Sequence, residues 1–354
     1  MASWRETTLA EIAELFSGGT PAKSNPAFWG GDLPWVTAKD MVRPRLARSE
    51  VHITDVGAAA GSRRVPAGST LVLVRGMTLH DRVPVCLATR EVAFNQDVKA
   101  IVGRDGVDST FLFYAVRGRA PILQNLVDSA SHGTGRISTR ALADMPVLLP
   151  SRHDQRRIAT LLAALDDKIE LNRRIAATAH KLANAIFRSR YSSDDPRLPH
   201  EVLGEHVKVA RGLSYAGAGL ADDGLPLHNL NSIREGGGYK RSGIKYYRSD
   251  YQQRHLVEPG DVVVATVEQG FDELLIAFPA RIPGSFGEVG LFSQDLFRLR
   301  PRTSSPVSKV FLYLTLLRGH LHEEIAGYAN GTTVNASRSR RSRSRASPFR
   351  RGGL

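Results

Sequence analysis

The sequence predicts a mixed α/β (α+β) protein in which two repeated domains are separated by a long coiled-coil-type helix. Three observations support this prediction: short motifs recur 192–198 residues apart, the segment between the copies lacks Gly and Pro, and each copy combines β-branched runs with amphipathic stretches. The predicted domains are residues 1–150 and 200–336, with the helix at 151–190 and a disordered Arg/Ser-rich tail at 337–354.

The repeat is clearest in a four-residue motif, F-x-Q-D. Phe94–Asp97 recurs as Phe292–Asp295, and Gly133–Thr134 recurs as Gly331–Thr332, both at an offset of 198 residues. Matches upstream of the motif lie near an offset of 192, so the copies differ in the length of a loop. A repeat of this length predicts two domains with the same fold.

Two pairs of segments predict secondary structure within the copies. Ser69–Arg75 and Asp261–Thr266 are short, rich in β-branched residues and preceded by Pro and Gly, which is typical of buried strands. Asp108–Arg117 and Pro306–Leu317 have apolar residues at helical spacing. Each copy is therefore predicted to combine helices with a sheet.

The segment His153–Phe187 predicts one long helix, because it contains neither Gly nor Pro and its apolar residues recur every four and three positions. Its ~35 residues would span about 52 Å. The predicted partner-helix seam consists of Ile158, Leu162, Leu165, Ile169, Asn172, Ile175, Leu182 and Ile186. A buried Asn172 would set the register of the pairing. The alternative is an ordinary amphipathic helix that lies on one of the domains.

The charge of the chain predicts a polyanionic partner. The formal net charge is +13 and the sequence pI is about 10.1. Seven arginines and no acidic residue lie in Ser337–Leu354, and without those seven charges +6 remains. The basic body is therefore compatible with nucleic acid, although its charge is not extreme.

Composition excludes several classes of protein. A single cysteine, Cys86, rules out a disulfide framework and a thiolate metal cluster. We expect no bound metal and no cofactor, since His320 and His322 lack a second ligand pair. The apolar runs are shorter than a membrane span or a signal peptide needs, so we expect a cytoplasmic protein with no membrane partner.

No catalytic site is predicted. Asn25–Phe28 (NPAF) departs in its third residue from the N-P-P-F/Y signature of adenine methyltransferases, which flip their target base. Asp261 and Glu268 lack the lysine that would complete a nuclease site, and no phosphate-binding G-x-x-x-x-G-K-[ST] loop is present.

Several segments together resemble the specificity (S) subunits of type I restriction-modification systems. They are Leu9–Pro21, Trp29–Met41, Phe94–Asp97, His132–Ser138 and Leu149–Phe187, in which a proline-ended strand is followed by DQRRIATLLAALDDKIELNRRI. The resemblance covers about residues 1–336 and is stronger in the first half.

The resemblance implies a non-catalytic subunit with two target-recognition domains, each of which recognises one half of a split double-stranded DNA sequence. It also implies that long helices keep the domains at a fixed separation and dock methyltransferase (modification) subunits, and through them the restriction motor. Two alternatives stay open: an enzyme that itself methylates or cleaves DNA, and a coiled-coil scaffold without a DNA role.

The sequence departs from the family after about residue 336. A second long helix is expected there, but the Arg/Ser tail occupies its place, which we interpret as a truncation or a shift of reading frame near Ser337. The other interpretation is a genuine basic segment that binds nucleic acid or import factors.

Cationic and amide side chains in turn-rich stretches are the candidate DNA contacts, because cations bind phosphates and Arg, Asn or Gln recognise base edges. In the first copy they are Lys39, Arg43, Arg45, Arg63, Arg64, Arg75, His80, Arg82 and Arg136. In the second copy they are His228, Asn229, Asn231, Arg234, Tyr239, Lys240, Arg241, Lys245 and Gln269.

Overall fold

The first half of the chain alternates short strands and helices before the long helix. The computed structural model describes residues 4–129, 134–191, 201–268 and 275–318. The strands are β1 (Arg5–Thr8), β2 (Ala13–Ser17), β3 (Trp29–Val36), β4 (Arg45–Leu46), β5 (Val51–Ile53), β6 (Arg63–Val65), β7 (Thr70–Leu73), β8 (Arg75–Gly76), β9 (Val85–Ala88), β10 (Val92–Phe94), β11 (Val98–Gly103), β12 (Asp128–Ser129), β13 (Gly135–Arg136) and β14 (Pro146–Leu149). The helices are α1 (Leu9–Ile12), α2 (Asp55–Gly61), α3 (Ser109–Gly118), α4 (Ala120–Asn125), α5 (Thr139–Ala143) and α6 (Arg152–Arg190).

The second half contains a similar series of elements. Its helices are α7 (Leu203–His206) and α8 (Lys309–Leu316). Its strands are β15 (Val207–Arg211), β16 (Leu220–Ala221), β17 (Leu225–His228), β18 (Lys245–Tyr247), β19 (Leu256–Val257), β20 (Val262–Ala265), β21 (Pro279–Arg281), β22 (Gly290–Phe292) and β23 (Leu296–Pro301). The predicted tail and the second Gly-Thr match lie outside the described residues.

The chain divides into two compact units, Met1–Ala177 and Thr178–Leu354, so α6 contributes residues to both. The order β2-β11-β7-β9 in a sheet of the first unit matches the order β15-β23-β20-β21 in the second. A parallel strand pair also recurs, β3 with β10 and β17 with β22. These matches confirm the predicted repeat and the mixed α/β class. The four-part division drawn from the sequence stays a prediction.

The repeated F-x-Q-D motif forms a structural turn in both units. The backbone N–H of Asn95 donates to the carbonyl of the last β3 residue (3.0 Å), and that of Ser293 donates to the last β17 residue (2.8 Å). A Cβ at Gly18 would lie 2.3 Å from the Asn95 carbonyl oxygen, and one at Gly212 would lie 2.1 Å from that of Ser293. The motif therefore explains why glycine stands at both positions.

The start of α6 is anchored on the first unit by buried polar contacts. Gln155 is 2% exposed; its Oε1 accepts from the Asp108 backbone N–H (2.8 Å) and its Nε2 donates to the Pro150 carbonyl (3.0 Å). About three helical turns further along α6, Asp166 accepts from Tyr114 (2.9 Å) and Arg117 (2.6 Å). These bonds hold one face of α6 against the first unit, and the opposite face takes no part in them.

The end of α6 packs on the second unit through aromatic rings. Phe187 is 6% exposed, and its ring centroid lies 5.1 Å from that of Phe311 and 5.0 Å from that of Tyr191. The Arg318 guanidinium lies over the same ring at 5.0 Å. Among the described helices, none is long and apolar enough to span a membrane.

A buried carboxylate holds the sheet of the second unit to α8. The Asp261 side chain has no exposed surface; it accepts from Lys309 Nζ (2.7 Å), Arg300 Nε (3.1 Å) and the Glu258 backbone N–H (3.0 Å). Burial opposes ionisation of this carboxyl, but the hydrogen bonds from Arg300 and Lys309 outweigh it and hold the pKa of Asp261 below its ordinary value.

We expect Asp261→Asn to destabilise the second unit by about 3 kcal/mol, because Lys309 loses its counter-charge and Arg300 keeps only its longer ion pair with Glu258 (3.6 Å). Hydrogen exchange of the full chain should then show about 10²-fold lower protection of the β20 and β23 amides. The matched control is Asp223→Asn, which removes an exposed ion pair with Arg248 and should change protection by less than about tenfold.

The destabilisation caused by Asp261→Asn should depend on pH, because the Asp261 carboxyl stabilises the folded state only when it is ionised. A carboxyl whose pKa is lower in the folded state stabilises that state above the unfolded pKa of about 3.9, and the stabilisation is lost as pH falls through the folded value. The difference in protection between wild type and Asp261→Asn should therefore narrow below about pH 4. A difference that stays constant with pH would contradict the assigned ionisation of Asp261.

Candidate nucleic-acid interface

Two arginines face each other across a strand pair in the first unit. Strands β8 and β13 are antiparallel, and Arg75 lies directly opposite Arg136. Both are exposed, and neither forms an ion pair with a carboxylate of the described residues. Like charges directly opposite in a sheet are destabilising. The arrangement therefore costs folding free energy unless an anion binds there.

A lysine extends this pair. Lys99 is half-buried on β11, and its ammonium donates to the hydroxyl of Ser17. Partial burial, and then repulsion from Arg136, lowers the pKa of Lys99. We call Arg75, Lys99 and Arg136 the cation cluster. Three cations that disfavour one another and lack an acidic partner among the described residues are suited to bind phosphates.

Two other predicted cations contact α6 instead. Arg43 pairs with Glu170 (2.7 Å), while Arg45 pairs with Asp167 and donates to the Ala163 carbonyl (3.3 Å). Burial, the largest single effect, lowers the pKa of Arg45, but the hydrogen bond and the charge of Asp167, together with those of Tyr114, outweigh burial and raise it. These arginines attach the β4 region to the long helix, so their charges are already balanced.

The remaining predicted cations of the first unit differ in their surroundings. Arg64 pairs with Asp55 and Glu91, each at 2.9 Å. Arg63 lies 4.7 Å from the ring centroid of Phe16. The other three, all exposed, are Lys39, His80 and Arg82.

In the second unit, three predicted residues line one cavity. Asn231, Arg234 and Lys240 surround a space of about 380 Å³ together with Glu235 and the apolar side chains of Leu230, Ile233 and Leu275. Arg241, next in the chain, is also exposed. The cavity thus combines an amide, two cations, one carboxylate and apolar walls; the amide and the cations are groups that contact bases and phosphates.

Two predicted residues of this unit lie in the interior. His228 is 1% exposed, its Nδ1 is 2.6 Å from the Tyr239 hydroxyl, and burial lowers the pKa of His228 to about 4. It is therefore neutral at pH 7. Asn229 is 4% exposed and donates to the carbonyl of Gly243 (2.7 Å). Both side chains support the local fold, so we exclude them from the interface.

The last three predicted residues of this unit are Tyr239, Lys245 and Gln269, and the first two have contacts within the fold. Tyr239 is half-buried against His228. Lys245 is also half-buried and donates to the hydroxyl of Tyr215 (3.1 Å). Gln269 lies outside the described residues.

Sequence reasoning missed Lys99, whereas the rejection of the NPAF segment as a catalytic site agrees with its contacts. Lys99 lies between the buried residues Val98 and Ala100, and a cation in such an alternating strand was the available signal. Asn25 caps the short turn that follows it, since its side chain accepts from the Ala27 backbone N–H (3.1 Å). It has a structural contact rather than a catalytic one.

The predicted seam of α6 is mostly exposed. Ile158 and Leu162 are half-buried and Asn172 is exposed. We define the apolar stripe as the large side chains on this side of the helix that are 48–64% exposed: Leu161, Leu165, Ile169, Leu171, Ile175, Leu182 and Ile186. Apolar side chains in such a continuous row are typical of a surface that binds another helix or protein.

Comparisons with known proteins agree with the resemblance noted in the sequence. The family described as type I restriction modification DNA specificity domain matches residues 1–180. The specificity subunit of the type I restriction enzyme MjaIX from Methanocaldococcus jannaschii is 28% identical over 198 residues, covering 54% of this chain and 45% of that protein. The EcoR124I/EcoR124II specificity subunit from Escherichia coli is 28% identical over 161 residues, covering 45% and 40%.

A solved structure is similar in fold. The crystal structure of the S subunit of a type I restriction-modification system from M. genitalium superposes with a TM-score of 0.53 at 15% identity, over 92% of this chain and 79% of that chain. The chain spans less than half the length of the MjaIX and EcoR124I/EcoR124II specificity subunits.

Proposed function

The chain belongs to the family of type I restriction modification DNA specificity domains, and from this premise we propose that it is a non-catalytic subunit that recognises a bipartite double-stranded DNA sequence. Each of its two units would bind one half of the target. The observation that carries the proposal is the cation cluster, in which Arg75 and Arg136 face each other without a carboxylate partner among the described residues. A DNA phosphate between them would turn repulsion into attraction.

The second unit supports the same function with different groups. Its cavity places Asn231 beside Arg234 and Lys240. An amide can pair with an adenine edge while the cations bind the flanking phosphates. The two units have the same strand order but different exposed side chains, which suits recognition of two unlike half-sites.

We further propose that the apolar stripe of α6 docks methyltransferase subunits, through which a restriction subunit joins the complex. The face of α6 that carries Gln155 and Asp166 is occupied by the first unit, whereas the stripe is exposed. A protein partner would cover these apolar side chains and remove them from water, as a partner helix does for the apolar seam of a coiled coil.

The proposal is tested with the purified full chain and a labelled duplex of random sequence. We expect log affinity to fall linearly with log salt between about 50 and 200 mM, with a slope near −0.9 for each phosphate neutralised. With a methyl donor added, we expect no methylation and no cleavage of the duplex. Salt-independent binding would contradict the DNA role, and turnover by the chain alone would favour an enzyme.

A further inference from the structure

A methionine projects from the turn beside the cation cluster. Met77 directly follows β8, which carries Arg75, and its side chain is 64% exposed. We infer that Met77 is a wedge that inserts between adjacent base pairs of bound DNA and kinks the duplex. The inference rests on the proposed function, because it requires that the cation cluster holds DNA.

The turn that carries Met77 is held in place by the fold. Gly76 has a φ of +140°, a conformation that favours glycine. Leu79 is fully buried, and its carbonyl accepts from the side chain of Gln124. Gly135 packs so closely that a Cβ there would lie 2.9 Å from the Cβ of Leu79. The backbone of this turn therefore loses little conformational freedom on binding.

Two valines of the same unit are as exposed as Met77, so exposure alone is not the basis of the inference. Val42 is 65% exposed and Val56 is 63% exposed, much like Met77. Val42, however, adjoins Arg43, which pairs with Glu170, and Val56 adjoins Asp55, which pairs with Arg64. Single exposed apolar residues are ordinary on protein surfaces. Met77 differs because its neighbours are cations that lack a carboxylate partner among the described residues.

The chemistry of DNA wedges fits this arrangement. Proteins that kink DNA insert Met, Leu, Ile, Phe or Pro between base steps, and the loss of stacking is offset by added contacts to the bent backbone. Arg75 and Arg136 lie where they could bind the phosphates that flank an opened step. Pyrimidine–purine steps unstack most easily. The preferred ligand is therefore a duplex with a TA or CA/TG step next to the half-site bound by the first unit.

The inference is tested on a duplex selected by the wild-type chain from a random-sequence library. We compare wild type, Met77→Ala and Met77→Leu for affinity, for salt slope and for the bend of an end-labelled duplex measured by energy transfer. For wild type we expect a bend of roughly 20–90°. Met77→Ala should weaken affinity by about tenfold and reduce the bend, with the salt slope unchanged because no phosphate contact is lost. Met77→Leu should retain both affinity and bend, since Leu also acts as a wedge.

Val42→Ala and Val56→Ala are the matched controls, and neither should change affinity or bend. If Met77→Ala leaves both quantities unchanged, or if the valine variants lose as much as Met77→Ala does, the wedge is overturned. A wild-type chain that binds no duplex would instead contradict the proposed function itself. All three truncations remove exposed side chains, so equal thermal unfolding of the variants establishes that folding is not the cause.

Discussion

Replacing Arg75, Lys99 and Arg136 together by glutamine is expected to weaken duplex binding on the order of 10²–10³-fold at about 0.1 M salt. Each cation that neutralises a phosphate contributes about 0.9 to the slope of log affinity against log salt, so the slope should become shallower by about 2.7. The measurement is a titration of the full chain against labelled duplex at several salt concentrations.

The control for this experiment changes the same amount of charge elsewhere in the unit. Arg64, Arg104 and Arg140 each pair with a carboxylate at 2.9–3.3 Å. Replacing these three by glutamine should shift the slope by less than about 1, because their charges are already balanced. Equal losses in the two triple variants would mean that net charge, and not the cation cluster, drives binding.

Folding stability gives an independent check on the cluster. Because Arg75 and Arg136 repel each other across the strand pair, Arg136→Gln alone should leave the unfolding free energy unchanged or raise it by roughly 0.2–1 kcal/mol without DNA. A variant that binds DNA less well while folding at least as well would separate the binding role from a structural one.

In the absence of its partner subunits, the wild-type chain is expected to self-associate through the apolar stripe at micromolar concentration. Replacing Leu165, Ile175 and Leu182 by glutamine should raise the dissociation constant on the order of 10³-fold. These side chains are 51–58% exposed, so burial of the exposed part of each would contribute about 0.75 kcal/mol, and the change is made in both copies of the chain. Glutamine is a good helix former, so α6 itself should persist.

Light scattering in about 0.5 M salt measures this association, since high salt screens contacts made by charges and leaves apolar ones intact. The control variant, Arg173→Gln with Ala177→Gln, alters exposed positions of α6 outside the stripe and should associate as wild type does. A wild-type chain that stays monomeric at these concentrations would contradict self-association through the stripe.

Local patterns in the sequence were enough to predict the repeat, the strands around Thr70 and Val262, and the long helix. The helix was predicted at 151–190 and extends over Arg152–Arg190. Periodicity and the absence of Gly and Pro are properties of neighbouring residues, so they can be evaluated without knowing the fold. The F-x-Q-D motif marked the repeat correctly, although its role as a backbone turn needed the paired strands.

Tertiary structure decides which of the predicted cations lack a carboxylate partner among the described residues. Arg43 and Arg75 look alike in the sequence, but Arg43 meets Glu170 across 127 positions of chain, while Arg75 meets Arg136. His228 was a reasonable candidate until the fold buried it. Ion pairing and burial are set by residues far apart in the chain. The sequence therefore determined the repeated units and the helix, and only the folded chain decided which cations pair with carboxylates and which side chains are buried.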